Sequence, residues 1–161
     1  MTTINFTAPA EGWIPAEQPG TMMTLLREGD YLTYRPNMTL QGFPMGPWQS
    51  LSDKADELLA TLPQDGAGPQ VLGEVTTGTD VLPALVRRIA IQIELPSQTL
   101  DVTVAQTYYE FTDVKSGAHG TYLLSYSALA DDFDDHIDDF QEFATSLELL
   151  PDADGSDETD D

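Results

Sequence analysis

The sequence predicts an α+β domain built on antiparallel strands, on three observations. Pro83 to Leu95 alternates apolar and polar residues with period two. Two further β-forming runs, Thr103 to Phe111 and Gly120 to Ala128, follow as an antiparallel pair, and an acidic amphipathic helix, Asp131 to Leu147, closes the order. At 161 residues the chain fits one domain. A globule of that size removes roughly 70% of the surface its unfolded chain would expose, so a core forms without metal or disulfide.

Residues 1 to 20 hold Pro9, Pro15, Pro19, Gly12 and Gly20, too many breakers for a helix. With Phe6, Trp13 and Ile14 as apolar anchors, they predict an arm lying across the domain edge. Thr21 to Leu26 and Tyr31 to Leu40 read as short strands around a turn at Gly29-Asp30, the second interrupted at Pro36. In Gln41 to Trp48, the residues Gly42, Pro44, Gly46 and Pro47 forbid regular structure, yet Phe43, Met45 and Trp48 are large and apolar. Such a loop either folds these side chains over the core, the default for large aromatics, or offers them to a partner.

Ser50 or Ser52 starts a helix. Ser52 is a good N-cap, and Asp53, Asp56 and Glu57 lie near the start, where the helix dipole favours negative charge. Leu51, Ala55, Leu58, Leu59 and Leu62 form its buried stripe, and Pro63 ends it. After a surface loop, Val71 to Thr77 reads as a weaker strand.

In Pro83 to Leu95, the residues Leu85, Ile89, Ile91, Ile93 and Leu95 face one way and Arg88, Gln92 and Glu94 the other, so one sheet face is core. In the strand ending at Phe111, Val102, Val104 and Tyr108 share one face and Ala105, Thr107, Tyr109 and Phe111 the other, so both faces are partly covered. Asp113 to Gly120 is a long hairpin loop, and in the partner strand Tyr122, Leu124, Tyr126 and Ala128 oppose Leu123, Ser125 and Ser127. The closing helix repeats Phe133, Ile137, Phe140, Ala144 and Leu147 at three- and four-residue steps. After Pro151, residues 152–161 contain no apolar side chain larger than that of Ala153, which predicts a disordered acidic tail, residues 151–161, beyond a single domain of residues 1–150.

Formal charge is −22, from 28 acidic against 6 basic side chains, and half of the acids lie between Asp131 and Asp161. Such a surface repels nucleic acid and anionic membrane, because binding phosphate takes Lys and Arg. A basic protein partner suits it, although solvation or adaptation to salt explains it as well. The absence of cysteine excludes disulfides, thiol nucleophiles and thiolate metal sites. The start MTTINFTAPAEGW has neither a basic n-region nor an apolar h-region, and no later run reaches ~20 apolar residues, so the chain reads as cytoplasmic with no membrane insertion.

Several residues carry a fold resemblance: Phe6 with Gly12-Trp13, the run Arg35-Pro36-Asn37-Met38-Thr39-Leu40, and Tyr122 to Ala128 followed by Phe133, Phe140 and Ser146-Leu147. Across most of residues 4 to 150 the chain resembles the Mog1/PsbP-like fold, and within it the actinobacterial LpqN/LpqT lipoprotein family and DcrB-like domains. The resemblance implies a single antiparallel β-sheet flanked by helices, an αβα sandwich, in a bacterial family of binding, adaptor and chaperone-like proteins without a shared catalytic set. This chain lacks the acylated cysteine of the lipoprotein members, which sets it apart from their cell-envelope role.

Candidate chemistry is sparse. His136 has Asp132 at i−4 and Asp139 at i+3, an ion-pair cluster more readily than a metal site. His119 sits in a glycine-flanked turn; Ser116 and Ser125 are near it, but no Gly-x-Ser-x-Gly occurs. Asp152 to Asp157 fails as a calcium loop because Asp157 stands where the sharp-turn glycine belongs. No phosphate-binding glycine motif is present, and Arg87-Arg88, which face opposite ways in a strand, are expected to pair with the chain's own carboxylates. No catalytic, metal or cofactor residue is assigned. The expectation is a non-enzymatic adaptor or chaperone-like module that binds another protein through a sheet face or through Phe43, Met45 and Trp48. The alternative is a small-ligand pocket lined by Trp13, Tyr108, Tyr109 and Tyr126. The sequence leaves the oligomeric state open.

Overall fold

A computed structural model describes residues 3–9, 11–112 and 116–150. In chain order these form β1 (Thr3–Asn5), β2 (Trp13–Ala16), β3 (Met23–Arg27), β4 (Asn37–Pro44), α1 (Leu51–Leu59), β5 (Gln70–Gly78) and β6 (Pro83–Leu95). Then follow β7 (Gln98–Thr112), β8 (His119–Leu129), α2 (Phe133–Thr145) and β9 (Glu148–Leu150). Seven strands make one antiparallel sheet in the order β2-β3-β4-β8-β7-β6-β5, while β1 pairs with β9 apart from it. The acidic tail and the tip of the β7–β8 hairpin lie outside the described residues.

β7 and β8 are covered on both faces. On one face Leu51, Ala55 and Leu58 of α1 pack with Leu85, Tyr108 and Leu123, and beside them Leu59 and Leu62 meet the Ile89, Ile91, Val102 and Val104 cluster. On the other, Phe133, Phe140, Phe143 and Ala144 of α2 pack with Ala105, Leu124, Tyr126 and Ala128, together with Phe6, Trp13, Met38 and Leu40. Period-two alternation in the strands and the three- and four-residue stripe in each helix thus meet as expected.

Several boundaries differ from the sequence expectation. Within the arm expected across the domain edge, residues 13–16 form the edge strand β2, and strand alternation turns Trp13 inward and Ile14 outward. The run Tyr31 to Leu40 is strand only from Asn37, since Pro36 has no N–H for the ladder; its carbonyl accepts from the Arg27 amide at 2.9 Å. β4 continues through Gly42 and Phe43 to Pro44, paired with Gly120 to Tyr122, so half of the expected loop is strand. Gly120 permits this pairing, because a Cβ there would lie 2.7 Å from both the Phe111 ring and the Phe43 carbonyl oxygen.

The N-cap of α1 is Ser50, not Ser52. Its hydroxyl accepts from the Asp53 amide at 3.0 Å while the Asp53 carboxylate accepts from the Ser50 amide at 3.3 Å, a reciprocal capping box. Ser50→Ala is therefore expected to lower unfolding free energy by about 1 kcal/mol and Ser52→Ala by less than half of that. Urea denaturation of the two variants checks the assignment, and equal losses would contradict it.

Candidate functional site

Two of the tyrosines along β7 and β8 are tied to α2. Tyr126 donates its hydroxyl to the Phe133 carbonyl at 2.7 Å, and Tyr109 donates to the Ala144 carbonyl at 2.7 Å, one of the last-turn acceptors a helix cannot satisfy itself. Trp13 Nε1 donates to Asp139 at 2.9 Å. Burial pushes the Tyr108 and Tyr126 hydroxyls well above their usual range, with Asp135, Asp132 and Asp134 adding to the effect at Tyr126; burial raises Tyr109 as well.

Held in this way over β8, α2 leaves the β5–β6 margin of its own sheet face partly uncovered. The result is an open groove of about 1010 Å³. Its floor is Ala84 and Val86 of β6 with Ala105, Thr107 and Tyr109 of β7. Ile137, Phe140 and Ala144 of α2 form one wall, and Leu72 and Val75 of β5 the other. Leu72 and Val75 are exposed large apolar residues on a strand whose every residue is exposed. The lining mixes aliphatic side chains with polar ones, Arg88, Gln141, Glu142 and Thr145 among them, and its one phenol is committed to the Ala144 carbonyl.

On the opposite face Arg87 is only 4% exposed. Its Nε donates to Glu74 of β5 and its Nη2 to Asp56 of α1, both at 2.7 Å, while Nη1 is buried without a hydrogen-bond partner among the described residues. Burial works against the guanidinium charge, but the two carboxylates outweigh it and hold the pKa above its ordinary value. For Arg87 this is the self-pairing expected of the basic dipeptide. Its neighbour Arg88 faces the groove, with its guanidinium 4.7 Å from the Phe133 ring centroid.

Phe43, Met45 and Trp48 do not act together. Met45 is 8% exposed and belongs to the α1 core, and Phe43 packs partly against it beneath Lys54. Trp48 alone stands out, at 95% exposure. The four-aromatic pocket does not form: Tyr108 lies under α1, Trp13 and Tyr126 are buried under α2, and only Tyr109 reaches the groove. Strand alternation is the reason, because consecutive residues Tyr108 and Tyr109 cannot face one cavity. His119 bridges Glu110 at 2.5 Å and the Gly46 carbonyl at 3.1 Å, and His136 sits edge-on to Trp13. No group of three or more potential metal ligands occurs among the described residues. The groove itself went unanticipated, because Ala84, Val86, Ala105 and Thr107 look like core positions in sequence.

No protein-family model and no curated protein sequence matches the chain. Solved structures do. LpqN of Mycobacterium tuberculosis, described as involved in cell envelope biogenesis, aligns with a TM-score of 0.65 at 17% identity over 94% of this chain and 85% of its own. The Saccharomyces cerevisiae Ran-binding protein Mog1p aligns at 0.58 with 12% identity, over 91% and 90% of the two chains. Cyanobacterial PsbP from Synechocystis aligns at 0.55 with 13% identity, over 92% of each. The chain has the Mog1/PsbP-like fold. At these identities the likeness is one of fold, as the sequence resemblance implied.

The contrast between the two loop residues is measurable. Met45→Ala is expected to cost about 2 to 5 kcal/mol of stability, as buried truncations do, whereas Trp48→Ala changes it by less than about 0.5 kcal/mol. Chemical denaturation decides, and a large loss for Trp48→Ala would contradict its exposure. The tyrosines set an alkaline limit. Their folded values lie above the unfolded value of about 10, so their stabilising contribution is whole below pH ~10 and is lost as pH rises toward the folded values. Tyr126→Phe removes one such group, so its loss of unfolding free energy between about pH 9 and 11 should differ from that of the parent. The sign follows from linkage: between those pH values the unfolded phenol ionises while the folded one stays protonated, so the parent loses roughly 1.4 kcal/mol more than the variant. Urea titrations at both pH values test this, and identical losses would refute it.

Proposed function

We propose that this chain is a non-enzymatic module that binds a segment of another protein, and that the segment lies in the groove between α2 and β5. The observation that carries the reading is the uncovered apolar surface of that groove, with Leu72 and Val75 exposed along one side in a chain of net charge −22. Exposed apolar side chains beside a groove, rimmed by polar residues, are the make-up of interaction sites. The lining offers contact area and no array of reacting groups. A protein of the same fold, Mog1p, is described as Ran-binding, which is consistent with a binding role for this scaffold. The Trp48 loop is a second contact in this reading, reduced to the one side chain that the core does not use.

A photoreactive phenylalanine analogue placed at Val75, at Trp48 or at the exposed Leu32 separates these surfaces. Irradiation in the cells that make the protein should give a discrete protein adduct from position 75 and none from position 32. An adduct from position 48 alone would move the site to the loop, and none from either would overturn the reading.

A further inference from the structure

The two margins of the seven-stranded sheet are built differently. β2 is four residues long and contains Pro15, which removes a ladder donor. β5 is nine residues long, has neither proline nor lysine, and is exposed throughout. Its single charge, Glu74, is turned onto Arg87 and so does not guard the edge. The register shift between Val71 and Gly73 lies near its start and leaves Gly73 to Gly78 in regular register with β6. Among the described residues, no backbone hydrogen bond outside the β5–β6 ladder involves the strand. A long, unpaired edge whose one charge is already paired is a template for a further strand.

Resting on the groove as the binding surface, we infer that its occupant is a basic, extended protein segment that adds to β5 as an eighth strand. Alternate side chains of such a strand stand on the α2 face beside Leu72 and Val75, where apolar residues continue the groove floor. Arg87 and Arg88 balance Glu74 and Glu142 in the groove lining, and further acids border the edge on both faces. Asp56 of α1 lies beyond Arg87 on one. On the other, Asp134 and Asp138 share the side of α2 that carries Gln141 and Thr145, and Glu142 lines the groove. Lysine or arginine in the added strand complements the net charge of −22 that the chain carries, whereas a second copy brings its own −22.

The probe is a peptide of nine residues, matching β5, that alternates lysine and valine. Its controls are a glutamate–valine counterpart and two versions N-methylated on alternate amides in opposite phase. With the full chain in about 0.15 M salt, the lysine peptide should slow amide exchange in β5 by about tenfold or more and leave β2 unchanged. One methylation phase should weaken binding about tenfold and the other far less, since only one set of amides faces β5; the glutamate peptide should not bind. Failure of the lysine peptide to bind, binding without protection of β5, or equal effects of the two phases would overturn strand addition. Protection of β5 without peptide that grows with protein concentration would overturn it in favour of self-pairing. Cross-linking at Val75 is scored independently, so the groove can stand if strand addition falls.

Discussion

Tyr126 reaches the Phe133 carbonyl and Tyr109 the Ala144 carbonyl, each at 2.7 Å, so the first and last turns of α2 are both fastened to the sheet. The two hydroxyls are buried, or nearly so, and each must find an acceptor or leave an unsatisfied polar group costing about 1 to 3 kcal/mol. The helix therefore has one place to lie. Tyr126 fixes its start over β8 and Tyr109 its end over β7, with the Trp13–Asp139 bond holding the middle from the β2 side. Outward of β7 on this face α2 covers the β5–β6 margin only in part, and the groove opens toward β5.

The opposite face resolves the same margin in another way. There Arg87 extends across to Glu74 of β5 and Asp56 of α1, joining edge strand, sheet and helix through one buried cation. Both carboxylates keep contact with water, so the cluster avoids most of the desolvation that makes fully buried ion pairs poor stabilisers. β5 is thereby secured on its α1 side while its α2 side stays open. An edge strand with no buried residue depends on such a tie, because it has no apolar packing of its own.

The parts of this arrangement that follow from periodicity were legible in sequence. β6, β7, β8 and α2 have enough apolar residues in register to place them, and the two-faced alternation of β7 already required cover on both sides. Where glycine and proline argue against regular structure, pairing overrides them: Gly42 and Pro44 sit in β4 because β8 offers partners at Tyr122 and Gly120. Ser50 rather than Ser52 caps α1, since Asp53 stands three residues after Ser50 and completes the box. Grouping Trp13, Tyr108, Tyr109 and Tyr126 by residue type ignores the period of two. The groove was invisible for a different reason. It is defined by where α2 stops, a tertiary fact, and is lined by small aliphatic residues that a sequence cannot tell from core.

Acidity and the open edge belong to one physical arrangement. Proteins commonly guard a long edge strand with lysine, proline or an inward-pointing charge, and β5 has none of these facing outward. Charge elsewhere in the chain protects it instead, since two copies at −22 repel one another before their edges can meet. The repulsion acts over roughly 8 Å at physiological salt, which matches the scale on which a neighbouring strand approaches. On the proposed binding mode the same field attracts a basic segment. If a strand adds to β5 as proposed, a surface that is apolar and hydrogen-bond-ready at short range and strongly negative at long range selects by charge first and by strand pairing second, and the same repulsion opposes pairing of the unguarded edge to its own kind.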